Sequence, residues 1–79
     1  MMQVNLRSID KVLFSGQVDT VILPGLFGKV GVKPHHAMMS VVLGAGEICL
    51  HLNDKTEKLA ITEGIAYVSQ NTVDVLLSV

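Results

Sequence analysis

The sequence predicts an all-β domain, a two-layer antiparallel β-sandwich. Three observations carry that expectation. Val and Ile number 17 of the 79 residues, with four Thr besides. These β-branched side chains lose rotamer freedom in helices and pack well on a pleated surface. Apolar and polar residues alternate with period two through most of the chain, the repeat of a strand with one buried face. Turn residues interrupt the alternation at the short intervals of sandwiches and barrels.

Each element follows from a local pattern. Val4 and Leu6 alternate with Gln3, Asn5 and Arg7, which predicts a strand near Val4–Ser8. Val12 and Phe14 alternate with Lys11 and Leu13 and predict Val12–Phe14. Ser15-Gly16 is expected to divide it from a third strand, Val18–Leu23. The stretch from Leu23 to Ala37 holds both prolines, three glycines and two of the three histidines. Proline has no amide for a ladder, so this stretch is expected as an ordered loop at one end of the sandwich. A short strand, Val30 to Val32, is expected inside it, with Gly31 where the chain turns sharply. Gly44-Ala45-Gly46 then breaks the chain before Ile48–Leu52, where Ile48, Leu50 and Leu52 oppose Glu47, Cys49 and His51. Asn53-Asp54-Lys55-Thr56 reads as a polar hairpin loop. Leu59 and Ile61 mark Glu57–Ile61, and Thr62-Glu63-Gly64 turns the chain. Ile65 and Tyr67 mark Ile65–Ser69, Gln70-Asn71 turns again, and Val73 and Val75 mark Thr72–Ser78.

Length and composition bound the function. Seventy-nine residues make one domain, 1–79. The chain is 49% hydrophobic and 16% charged, the reverse of a disordered composition. A net charge of −1 argues against a nucleic-acid binder, which carries a basic footprint. One Cys allows no internal disulfide framework, and two Phe, one Tyr and no Trp supply no stacking platform. Apolar runs such as Val41-Val42-Leu43 and Val75-Leu76-Leu77 fall far short of the roughly 20 residues of a spanning helix, so no direct membrane insertion is expected. Met1-Met2-Gln3-Val4-Asn5 has no basic-then-apolar leader pattern, and with the lone Cys49 this predicts a reducing, cytoplasmic-side location. A domain of this size buries only about 60% of the surface its unfolded chain exposes. So apolar a sequence must therefore leave aliphatic side chains at the surface, where a contiguous patch marks a partner interface.

Candidate chemistry is thin. His35, His36, His51 and Cys49 are the residues a metal would use, but zinc takes four converging ligands. Adjacent histidines on an extended chain point opposite ways. Gly25-Leu26-Phe27-Gly28-Lys29-Val30 has two residues between its glycines where a phosphate loop has four, and lacks the Ser or Thr. Gly28-Lys29-Val30-Gly31 has the G-x-x-G form of a nucleic-acid clamp without its flanking helices. Cys49 and His51 share a strand face with no third group to orient them. The expectation is a module without catalytic residues, cofactor or metal, whose work is contact. The alternative is a small β-sandwich adaptor, or a ligand- or metal-binding module using His35, His36 and His51.

A set of spaced motifs narrows this further. Phe14-Ser15-Gly16, Leu23-Pro24-Gly25 and the run from Gly28 through Lys33-Pro34-His35-His36-Ala37 stand at matching spacings to a known pattern. Leu43, Gly46 and Gly64 fall in place, and Tyr67 to Leu76 follows the closing hairpin. The chain resembles the N-terminal β-sandwich domain of the ε subunit of F-type ATP synthase, the homologue of the mitochondrial δ subunit. Three positions depart from the family: His35 stands for the usual Gly, Met38 for Pro, and Lys29 for a common acidic residue. Typical members continue past the position of Val79 into a helical hairpin. The regulatory inhibition and ATP binding of that hairpin are not carried over.

The resemblance implies a non-catalytic rotor role. It implies a place in the central stalk beside the γ subunit, with one end resting on the c-ring of the membrane sector, and contact through the complex with the catalytic head of α and β subunits. It implies coupling of ion translocation to ATP synthesis, peripherally on the cytoplasmic face of the bacterial inner membrane. The ring-facing loop would comprise Leu26, Phe27, Gly28, Lys29, Val30, Gly31, His35 and His36. One outer sheet face would supply the apolar contact with γ.

Overall fold

The computed structural model describes residues 1–78. Nine strands follow one another: β1 (Met2–Arg7), β2 (Val12–Val18), β3 (Thr20–Gly25), β4 (Gly28–Val32), β5 (Met39–Leu43), β6 (Gly46–Leu52), β7 (Lys55–Ile61), β8 (Gly64–Val68) and β9 (Thr72–Leu77). Among the described residues there is no helix. The strands lie in the order β2-β1-β9-β8-β5-β3-β6-β7, with β4 on the other edge of β3. The sheet curls into two facing layers, β2-β1-β9-β8-β5 and β4-β3-β6-β7, and the all-β sandwich is as the alternation predicts.

The core follows from period two. Met2, Val4 and Leu6 of β1 point inward and Gln3, Asn5 and Arg7 outward; Val73, Val75 and Leu77 of β9 repeat the pattern. Opposite them, Val21 and Leu23 of β3 and Ile48 and Leu50 of β6 close the interior in one cluster. Every such pair removes aliphatic surface from water at about 25 cal/mol per Å2.

Among the described residues, strand pairing joins the two layers at one corner. The end of β3 leaves β6 after Ile22 and meets β5 through the pair Gly25 and Leu43. Leu26 N–H donates to Val42 O and Gly44 N–H to Pro24 O, each at 2.9 Å. A Cβ on Gly46 would stand 2.8 Å from Pro24 Cβ, so only glycine lets the β5–β6 turn close over the proline.

Several sequence expectations need correction. The pairing is not antiparallel throughout, because β1 and β9 run parallel, Val4 beside Val73 and Leu6 beside Val75. Ser15-Gly16 is no break: β2 runs through to Val18, with Ser15 paired to Asn5 and Gly16 to Val4. The stretch after Leu23 is a β-hairpin rather than a loop, and Pro24 lies inside β3. The proline is tolerated because that edge of β3 is passing from β6 to β5, where no ladder amide is required. Gly31 makes no sharp turn. It lies in β4 opposite Ile22, and a Cβ there would meet nothing within 4 Å. Strand β5 was not expected at all, and it is the element that ties the layers together.

Candidate docking surface

The predicted contact residues separate into two groups. Leu26 and Phe27 form the turn of the β3–β4 hairpin, with Gly28, Lys29, Val30 and Gly31 following along β4. Phe27 is 98% exposed. His35 and His36 lie beyond the far end of β4, about 13 Å away at some 3.3 Å per strand residue. There His35 N–H donates to Gln70 O at 2.7 Å, binding the β4–β5 loop to the β8–β9 turn. His35 holds a φ of 67°, the left-handed region that few non-glycine residues adopt. His36 Nδ1 lies 2.8 Å from Ala37 O. One loop presenting both the apolar turn and the histidines does not exist in this fold.

His51 sits on the outer face of the other layer, with Nδ1 3.0 Å from Thr56 Oγ1. Cys49, half-buried, is two residues away on the same strand. Among the described residues no three His, Cys, Asp or Glu side chains gather where a metal could bind. The geometry therefore lends nothing to a site built from His35, His36 and His51.

The larger feature is an apolar outer sheet face, expected from the sequence but without its residues. On the outer face of the β2-β1-β9-β8-β5 layer the register aligns side chains into rows. Val42 pairs with Ile65, and Ile65 with Leu76. Leu26 joins the row through its hydrogen bond to Val42. Arg7 closes it beside Leu76. Val42 is 57% exposed and Leu76 48%, and Ile9 in the β1–β2 turn is almost wholly exposed nearby, bordering the same depression as Val42, Ile65 and Leu76. The result is an apolar belt across three strands, β5, β8 and β9, that continues into the turn of Leu26 and the exposed Phe27.

The next row is polar. Ser15, Asn5, Asp74, Tyr67 and Ser40 align across five strands. Ser15 Oγ donates to Asn5 Oδ1 at 2.9 Å and Asn5 Nδ2 to Asp74 Oδ1 at 2.8 Å, while Gln3 Nε2 reaches Asn5 Oδ1 at 3.0 Å. The face thus carries an apolar half at the hairpin end and a hydrogen-bonded polar half beyond it. An apolar belt bounded by polar side chains has the anatomy of a protein interface: a dry centre and a wet rim.

A signal for the belt was present. A strand buried on one face should place a polar residue in the middle of three. Val41-Val42-Leu43 and Val75-Leu76-Leu77 place an aliphatic one there. Those middle residues are the ones that face out.

Comparison with known proteins agrees with the architecture. The family model of the ATP synthase delta/epsilon chain, β-sandwich domain, matches residues 1–79. The ATP synthase epsilon chain of Leptospira borgpetersenii is 32% identical over 75 residues, covering 95% of this chain and 59% of the relative. ATP synthase epsilon chain 2 of Nitrobacter hamburgensis is 40% identical over 74 residues, covering 94% of this chain and 54% of the relative. A chain in the Euglena gracilis mitochondrial ATP synthase (OSCP/F1/c-ring) superposes with a TM-score of 0.89 at 20% identity, over 96% of this chain and 49% of that one. This likeness is one of fold. The chain spans little more than half the length of these relatives. With its whole length matched by the family model and its sandwich reproduced, the chain belongs to the delta/epsilon family of ATP synthase β-sandwich domains.

Proposed function

We propose that this domain is a non-catalytic central-stalk element of an F-type ATP synthase, linking the γ subunit to the c-ring and so coupling ion translocation to ATP synthesis. The apolar belt Leu26, Val42, Ile65 and Leu76 carries the reading, because it gives the family's sandwich an exposed aliphatic face that water solvates poorly. In this reading γ covers the belt and the β3–β4 turn, with Phe27 and Lys29, meets the ring. His35 and His36, at the opposite end, take no part in ring contact. The catalytic head of α and β subunits is reached only through the complex. The place of work is the cytoplasmic face of a bacterial membrane, held there by partners rather than by insertion.

Co-expression with γ and the c-ring tests this. The tagged chain should recover both, and Val42→Asp should lose γ. Recovery of neither by the unaltered chain, under conditions where γ and ring assemble with another ε subunit, would overturn the reading.

A further inference from the structure

Charge is unevenly spread along this chain. Residues 20–46 contain no Asp or Glu, while they hold Lys29 and Lys33. The remainder holds four basic side chains and all seven acidic ones. The acid-free third comprises β3, β4, the loop after it, and β5. It also contains an open strand edge: among the described residues β4 pairs with β3 alone.

The ladder shows which backbone groups are free. Leu26 N–H and Pro24 O bond toward β5, so alternation turns Val21, Leu23 and Gly25 toward β4. Their partners Val32, Val30 and Gly28 bond back. Lys29 and Gly31 therefore direct N–H and C=O away from β3, and among the described residues no backbone group meets them there. The side chains of Lys29 and Gly31 positions face out, while Val30 and Val32 face in. Gly31 leaves the approach unobstructed, since even a Cβ would touch nothing.

We propose that the free edge of β4 accepts an extended segment of a partner protein, one that alternates acidic and apolar residues. Such a strand would take up the N–H and C=O groups of Lys29 and Gly31 by strand addition. Its acidic side chains would lie beside Lys29 and Lys33, and its apolar ones would continue the layer past Val30. A second copy of this chain is not the occupant, because pairing β4 with β4 sets lysine near lysine, and like charges across paired strands are destabilising. An anionic membrane surface is the weaker fit, since two lysines do not anchor a domain, which takes a larger basic cluster or an inserted apolar group. Of the other two free edges among the described residues, β7 mixes Lys55, Glu57 and Lys58 and favours neither sign, and β2 carries no charged side chain. The proposal goes beyond the stalk reading and does not need the partner to be the ring.

The test uses the 79-residue chain and two probes, a Glu-Val alternating peptide and a Lys-Val alternating peptide, followed by amide hydrogen exchange and NMR shifts. The Glu-Val peptide should slow exchange at Lys29 and Gly31 at least tenfold, leave β7 unchanged, and weaken as salt rises. The Lys-Val peptide should do nothing. Lys29→Glu/Lys33→Glu, two exposed changes that leave the core intact, should reverse the preference. Equal protection by both peptides, protection at β7, an unreversed preference in the variant, or binding to phosphatidylglycerol vesicles without peptide binding would each overturn the proposal. Failure of the chain to recover γ would leave it standing.

Discussion

Replacing Gly64 by Ala tests the packing of the layer that carries the belt. Gly64 opens β8, opposite Leu77 of β9. A Cβ there would stand 2.6 Å from the backbone oxygen of Leu76 and 2.8 Å from Leu77 Cδ2. Carbon atoms prefer separations of about 3.5–4.0 Å. The leucine methyl can swing away, but the carbonyl belongs to the chain and moves only if β9 moves. Overpacking costs typically about 1–3 kcal/mol, and a disturbed ladder bond adds about 1 kcal/mol. The expected loss is about 2–4 kcal/mol, a large part of the roughly 4–12 kcal/mol available to a domain this small.

Gly31 is the matched control, another strand glycine with open space where the methyl would go. Ala at such a position restricts the unfolded chain and stabilises by about 0.4–1 kcal/mol. Thermal unfolding followed by far-ultraviolet circular dichroism reads both. At about 4–8 °C per kcal/mol for this size, Gly64→Ala should melt about 10–25 °C lower and Gly31→Ala a few degrees higher. If the two variants melt together, or Gly31→Ala is the worse, the strand packing described here is wrong.

Three further outcomes follow from the same structure. Leu6→Ala, at a fully buried position of β1, should cost about 2–5 kcal/mol, read as a lower urea midpoint with unchanged slope. Asn53 holds a φ of 55° and donates its N–H to Asp19 Oδ2 at 2.9 Å; Asn53→Ala should lower stability by about 1 kcal/mol through backbone strain, and Asn53→Gly should be better tolerated in the same denaturant titration. Leu76→Asp, on the exposed belt, should shift the melting temperature by only a few degrees yet cut γ recovery at least tenfold, and unchanged recovery would remove Leu76 from the interface.

Elements with one buried face were legible because burial imposes period two on the sequence. β1 and β6 show it throughout and β9 up to Val75, and each was expected within a residue or two of its bounds. β8 was expected as closely, but from Ile65 and Tyr67, which face outward while Ala66 and Val68 are the buried pair. β5 was missed for the opposite reason. Met39-Ser40-Val41-Val42-Leu43 shows no clean alternation, since Val42 is aliphatic on the outer face. The hairpin of β3 and β4 was hidden by Pro24. A single residue's chemistry excludes a ladder bond, but it cannot reveal that the neighbouring strand is changing at that point.

The contact residues divide along the same line. Leu26 and Phe27 were identified from their apolar character within a turn-rich segment, a local property. Val42, Ile65 and Leu76 lie far apart in sequence and become one surface only through the register of β5, β8 and β9. Yet each also violates local alternation in its own strand. An outward aliphatic residue lowers the solubility of the isolated domain and contributes nothing to its core. Three of them in one register row place that cost where a partner can recover it as buried area. Where a strand's polar phase fails, the failure therefore points to an interface, and the row it shares with other failures gives the footprint.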